Sequence, residues 1–133
     1  MNYLRVVAIG ACACIGALLF TSCSTPEAAM PKLKQYLGAQ CLEMMTAPGI
    51  NGYQYISQHP AGRGVFALAM ANGYQVCAYS TTREGIRDWN TLEVLALGRC
   101  EDARKAAGMN TTCKVFARGF DIVWDEKKTH GME

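Results

Sequence analysis

Apolar positions along this chain fall first into a helical period, then an alternating one, and then repeat that order. Leu33, Leu37, Cys41 and Met44 recur at i, i+4, i+8 and i+11, which places them on one face of a helix spanning residues 32–45. Pro31 suits the first turn of such a helix, and Thr46-Ala47-Pro48-Gly49 ends it. Residues 51–63 carry no clear period and read as a loop or short strand holding Tyr53, Tyr55, His59 and Pro60. Residues 64–80 hold two apolar runs separated by Asn72-Gly73, the dipeptide that favours a type I′ hairpin turn. That turn sets Phe66 opposite Tyr79, Leu68 opposite Cys77 and Met70 opposite Gln75. The other face carries Val65, Ala67, Ala69, Val76 and Ala78, so both faces are apolar and the hairpin is expected centrally in its sheet.

The second half repeats this order. Residues 81–89 form a charged connection. A helix follows, with Asn90 as N-cap and Glu93 completing a box-like pattern. Leu92, Ala96, Cys100, Ala103 and Ala107 share one face, and Gly108 closes the helix. Residues 112–124 read as a second hairpin about Arg118-Gly119. A two-residue turn there puts Cys113, Val115, Ala117, Phe120, Ile122 and Trp124 on one face. Helix, hairpin, helix, hairpin predicts an α+β domain over residues 32–125, with an antiparallel sheet and two helices packed on one of its faces. Residues 126–133 form a polar tail.

The N-terminus has a different pattern. Arg5 precedes an uncharged, largely apolar run from Val6 to Phe20, shorter than the ~20 residues a membrane-spanning helix needs. Its length matches the apolar region of an export signal. The run ends in Phe20-Thr21-Ser22-Cys23, which resembles the lipobox of bacterial lipoproteins: an apolar residue, two small residues, then the lipid-bearing cysteine. The family usually has Leu where this chain has Phe20. The resemblance implies that residues 1–22 are removed, that Cys23 carries diacylglycerol, and that residues 23–31 are a lipidated tether. Ser24, rather than Asp, follows the cysteine, which by the same resemblance implies the outer membrane. An ordinary cleaved signal and a retained N-terminal anchor are the alternatives.

Composition limits the partners. Net charge is +2 and Arg5 leaves with the signal, so the mature chain is near neutral. Its cations alternate with carboxylates, as in Arg99, Glu101, Asp102, Arg104 and Lys105, without the basic stripe of a nucleic-acid binder.

Of seven cysteines, Cys12 and Cys14 lie in the signal and Cys23 is the lipid site. Cys41, Cys77, Cys100 and Cys113 remain, all on apolar faces. In an exported chain four cysteines imply two disulfides with three possible connectivities. A short turn separates the helix of Cys100 from the strand of Cys113, which favours that pair and leaves Cys41 with Cys77. Four buried free thiols are the alternative. No Cys-x-x-Cys or His-x-x-x-His spacing marks a metal site in the mature chain.

Residues 64–124 resemble small exported bacterial domains of unknown function, through Gly64-Val65-Phe66-Ala67-Leu68-Ala69, Ala78-Tyr79-Ser80, a helix ending Arg99-Cys100-Glu101, then Cys113-Lys114-Val115-Phe116-Ala117 and Ile122-Val123-Trp124. That resemblance implies the same hairpin–helix order and a Cys100–Cys113 clip. It implies no activity.

No nucleophile elbow, phosphate loop or dinucleotide fingerprint occurs, and Gly62-Arg63-Gly64 reads as a turn before a strand. No cofactor is expected. Tyr53, Tyr55 and His59 are the best candidates for a binding surface. The sequence thus predicts a lipid-anchored envelope protein, a non-enzymatic binding or assembly module. Its partner is another envelope protein or peptidoglycan. A small envelope hydrolase or thiol-redox enzyme is the alternative.

Overall fold

The computed structural model describes residues 25–49 and 52–124. The expected signal, Cys23 and the expected tail lie outside them. The chain runs α1 (Pro26–Tyr36), α2 (Ala39–Thr46), α3 (Tyr53–Gln58), β1 (Gly64–Ala71), β2 (Tyr74–Thr81), a 3-10 turn (Thr82–Glu84), α4 (Trp89–Ala106), β3 (Lys114–Arg118) and β4 (Asp121–Ile122). The strands form one antiparallel sheet in the order β2-β1-β3-β4. The fold is α+β.

The first hairpin follows its turn residues. Asn72 at φ 51° and Gly73 at φ 79° supply the two left-handed conformations that a type I′ turn requires. Phe66 lies opposite Tyr79, Leu68 opposite Cys77 and Met70 opposite Gln75, as the alternation predicts. The central position holds for β1 alone, since β2 is an edge strand. β1 is apolar on both sides, and each side has its own helical cover. Phe66 and Leu68 pack with Leu33, Leu37, Cys41, Met45 and Tyr53 from α1 to α3. Val65, Ala67 and Ala69 pack with Leu92, Ala96 and Cys100 from α4. The helices therefore sandwich the sheet, where the sequence led us to expect them on one face. A sheet with water on one side could not bury both rows of β1 side chains.

The N-terminal half departs most from expectation. One helix over residues 32–45 becomes two, broken at Leu37-Gly38. The break is clamped from β2: Gln75 Oε1 accepts from the Gly38 N–H at 2.7 Å, and Gln75 Nε2 donates to the Tyr36 carbonyl at 2.7 Å. After the break Met45, not Met44, is the fully buried methionine. Residues 23–31 are not all tether, because α1 starts at Pro26 with Thr25 as N-cap. Pro31 sits inside that helix rather than at its start. Residues 53–58, expected as loop or strand, form α3, whose Tyr53 and Ile56 are buried.

Asp88, not Asn90, caps α4, its Oδ2 accepting from the Thr91 N–H at 2.9 Å. Gly108 follows the helix at φ 74°, as predicted. In the second hairpin the turn is Gly119-Phe120, with Ala117 opposite Ile122. The pairing of β3 with β1 shifts between Phe66 and Ala67, so Phe116 is an extra residue. This bulge splits the face expected to be continuous. Cys113 and Val115 join the α4 core, whereas Phe116, Ala117 and Phe120 join the other with Ile122 and Trp124 against it.

Two disulfides cross these layers. Cys41–Cys77 joins α2 to β2, with Cα atoms 6.0 Å apart. Cys100–Cys113 joins α4 to the segment leading into β3, at 6.1 Å. Among the described residues no helix is long and apolar enough to cross a membrane.

Candidate functional site

The base of the β1–β2 hairpin opens away from its Asn72-Gly73 turn. The Gly64–Thr81 pairing continues one step beyond the strands. The Thr82 N–H donates to the Arg63 carbonyl at 3.0 Å, and the Arg63 N–H donates to Thr82 Oγ1 at 3.1 Å. The chain entering β1 and the chain leaving β2 thus meet at one end of the domain. Arg63 comes from the first, Arg83 and Arg87 from the second. The C-terminal end of α3 adds Tyr55 and His59. Together these side chains line a solvent-open bowl of about 360 Å³.

Local structure shapes the bowl. Gly85, at φ 89°, lets the chain leave the 3-10 turn in a conformation that side chains rarely adopt. A Cβ on Gly62 would lie 1.9 Å from the Ile56 carbonyl oxygen, so only glycine lets the chain pass this close to α3. Thr81 and Glu84 form a capping box across the turn.

Arg63 is held in place: its Nη1 donates to the Arg87 carbonyl at 2.8 Å, and its Cζ lies 5.7 Å from the Trp89 ring centroid. Tyr55 lies against His59, ring centroids 6.2 Å apart. The nearest carboxylates in sequence are otherwise engaged. Glu84 is bound by Arg99, whose hydrogen bonds hold its carboxyl below the usual range. Asp88 accepts from the Thr91 N–H and hydroxyl, which also lowers its pKa. The ion pairs among the described residues are Arg99–Glu84, Arg104–Glu101 and Arg118–Glu93. Arg63, Arg83 and Arg87 belong to none of them.

The structure divides the three residues singled out for binding. Tyr55 and His59 are exposed on the bowl. Tyr53 is buried, a correction to the sequence reading. Its ring packs edge-on against Phe66, Tyr79 and Phe120, and its hydroxyl donates to the Gly119 carbonyl at 2.7 Å. Burial pushes this phenol's pKa well up, so it stays neutral. The two tyrosines separate because α3 turns one inward and the other outward.

The sequence reading missed Arg63, Arg83 and Arg87 as a group. A signal was present: the hairpin register that places Gly64 opposite Thr81 also places Arg63 opposite Thr82, beside Arg83. Cys41, Cys77, Cys100 and Cys113 are all bridged. Cys23 lies outside the described residues. Among the described residues no group of three or more His, Cys, Asp or Glu side chains could hold a metal ion. The residues lining the bowl include no thiol or carboxylate beside His59; its lining is cationic, with Tyr55 at its edge. No protein-family model, curated protein or solved structure matches the chain.

Proposed function

We propose that this chain is a lipid-anchored cell-envelope protein acting as a non-enzymatic binding module, with the Arg63, Arg83 and Arg87 bowl as its ligand site. One observation carries the binding reading: three arginines line a bowl of about 360 Å³ and take part in no ion pair among the described residues. Cations gathered without counter-charges repel one another, and an anionic ligand removes that repulsion. The anchor rests on the Phe20-Thr21-Ser22-Cys23 lipobox. Two or three acyl chains on Cys23 give stable attachment without a membrane-binding surface. Thr25 already caps α1, so in sequence Ser24 alone separates Cys23 from that cap. The module is then held close to the bilayer, in the outer membrane by the Ser24 rule. The partner is an envelope protein or peptidoglycan presenting negative groups. A thiol-redox role finds no support in four cysteines that are all bridged.

Two measurements test this. Metabolic labelling with a clickable fatty acid should mark the wild-type chain and leave Cys23→Ser unlabelled; equal labelling of both removes the anchor. Capture from detergent-solubilised envelopes should recover a stoichiometric component on wild type and lose it on the double variant Arg83→Gln/Arg87→Gln. Recovery of nothing on wild type removes the module.

A further inference from the structure

We infer that the bowl takes a phosphate monoester, the phosphate held by Arg63, Arg83 and Arg87 and the body it is attached to lying against Tyr55. This rests on the binding-module reading and specifies its ligand. The charge balance selects the group. Three arginines line the bowl without a carboxylate partner among the described residues, while Arg99, Arg104 and Arg118 elsewhere each have one. A carboxylate brings one negative charge and two acceptor oxygens. A phosphate monoester brings nearly two charges and three terminal oxygens, enough to accept from all three side chains.

Geometry supports the same group. Arg63 is pre-oriented by its bond to the Arg87 carbonyl and by the Trp89 ring, so less side-chain freedom is lost when it binds. Arg83 and Arg87 are exposed and can swing onto a ligand. The volume of about 360 Å³ lies at the lower end for small-molecule sites, larger than a bare phosphate needs. The ring of Tyr55, 44% exposed, offers an apolar wall for the rest of the ligand. A phosphorylated sugar and a phosphate-terminated lipid headgroup share this chemistry.

The test uses the full chain in detergent, titrated with inorganic phosphate, glucose phosphate and gluconate, and separately mixed with phosphatidylcholine vesicles with and without phosphatidic acid. Tryptophan emission and titration calorimetry read binding; Trp89 reports because Arg63 lies over its ring. Glucose phosphate should bind saturably and about tenfold more tightly than gluconate. The double variant Arg83→Gln/Arg87→Gln should weaken it by about tenfold or more, as loss of charge-assisted hydrogen bonds requires. Lys34→Gln, which removes an exposed charge on α1, should leave it unchanged. Binding confined to phosphatidic acid vesicles supports the inference and assigns the headgroup as source; binding of glucose phosphate supports it and assigns a soluble or glycan phosphate. Gluconate binding as tight as glucose phosphate overturns the phosphate and leaves the module intact. No saturable binding of any phosphate probe, or a double variant with wild-type affinity and an unchanged circular dichroism spectrum, overturns the site. Loss of the module itself would show separately, as failed capture from envelopes.

Discussion

The surface of α4 and the base of the β1–β2 hairpin use arginine in opposite ways. Around α4 every arginine is spent on structure. Arg104 reaches Glu101 and the Met109 carbonyl, and Glu101 in turn accepts from the Cys113 N–H at 2.8 Å. Arg118 on β3 donates to Glu93 on α4. Arg99 bonds both the Tyr79 carbonyl and Glu84, covering part of the open edge of β2. At the hairpin base, Arg63 bonds the Arg87 carbonyl, but Arg63, Arg83 and Arg87 have no carboxylate partner among the described residues. The contrast separates two uses of one side chain. A guanidinium that already has its carboxylate stabilises packing modestly. One left without a carboxylate in a concave site is available to a ligand.

The largest effects should come from the bridges that hold both regions together. Cys41→Ser with Cys77→Ser opens a loop of 36 residues and should cost about 4 kcal/mol in the chain-entropy model. Cys100→Ser with Cys113→Ser opens one of 13 residues and should cost about 3 kcal/mol. Urea unfolding of the two double variants gives this order directly; equal costs would point to native-state packing rather than loop length. Next comes Arg104→Gln, which leaves the half-buried Glu101 without its cation and should lower stability by about 1 kcal/mol. The same denaturation series should show Arg83→Gln within about 0.5 kcal/mol of wild type. A large loss in Arg83→Gln would erase the contrast between the regions.

The pH dependence sharpens it from the acid side. Glu101 is held below the usual carboxylate range chiefly by Arg104, then by the Cys113 N–H; Glu84 is lowered chiefly by Arg99. A depressed carboxyl contributes stability that is complete above its unfolded pKa and lost as pH falls through its folded one. Melting temperature should therefore drop as pH falls below about 4. Glu101→Gln should flatten that drop, while Arg83→Gln should leave its shape unchanged. Parallel acid titrations of the two variants would contradict the division between them.

Residue types and period determined the local structure of several elements. Asn72-Gly73 demanded two left-handed residues and so set every pairing along β1 and β2. Four cysteines on apolar faces, two of them one short turn apart, led to the disulfides. Leu92, Ala96 and Cys100 marked the buried stripe of α4.

What the period could not supply depended on contacts distant in sequence. The break at Leu37-Gly38 is held by Gln75, a residue 37 positions away from Gly38. The bulge at Phe116 arises where β3 meets β1 and moves Phe116 and Ala117 into the same core. Tyr53 became core because α3 forms against the sheet and closes over Phe66 and Phe120. The arginine bowl exists only where the two ends of the hairpin meet α3. Local preference acts over a turn or two of chain, and the bowl is made by segments that only packing brings together.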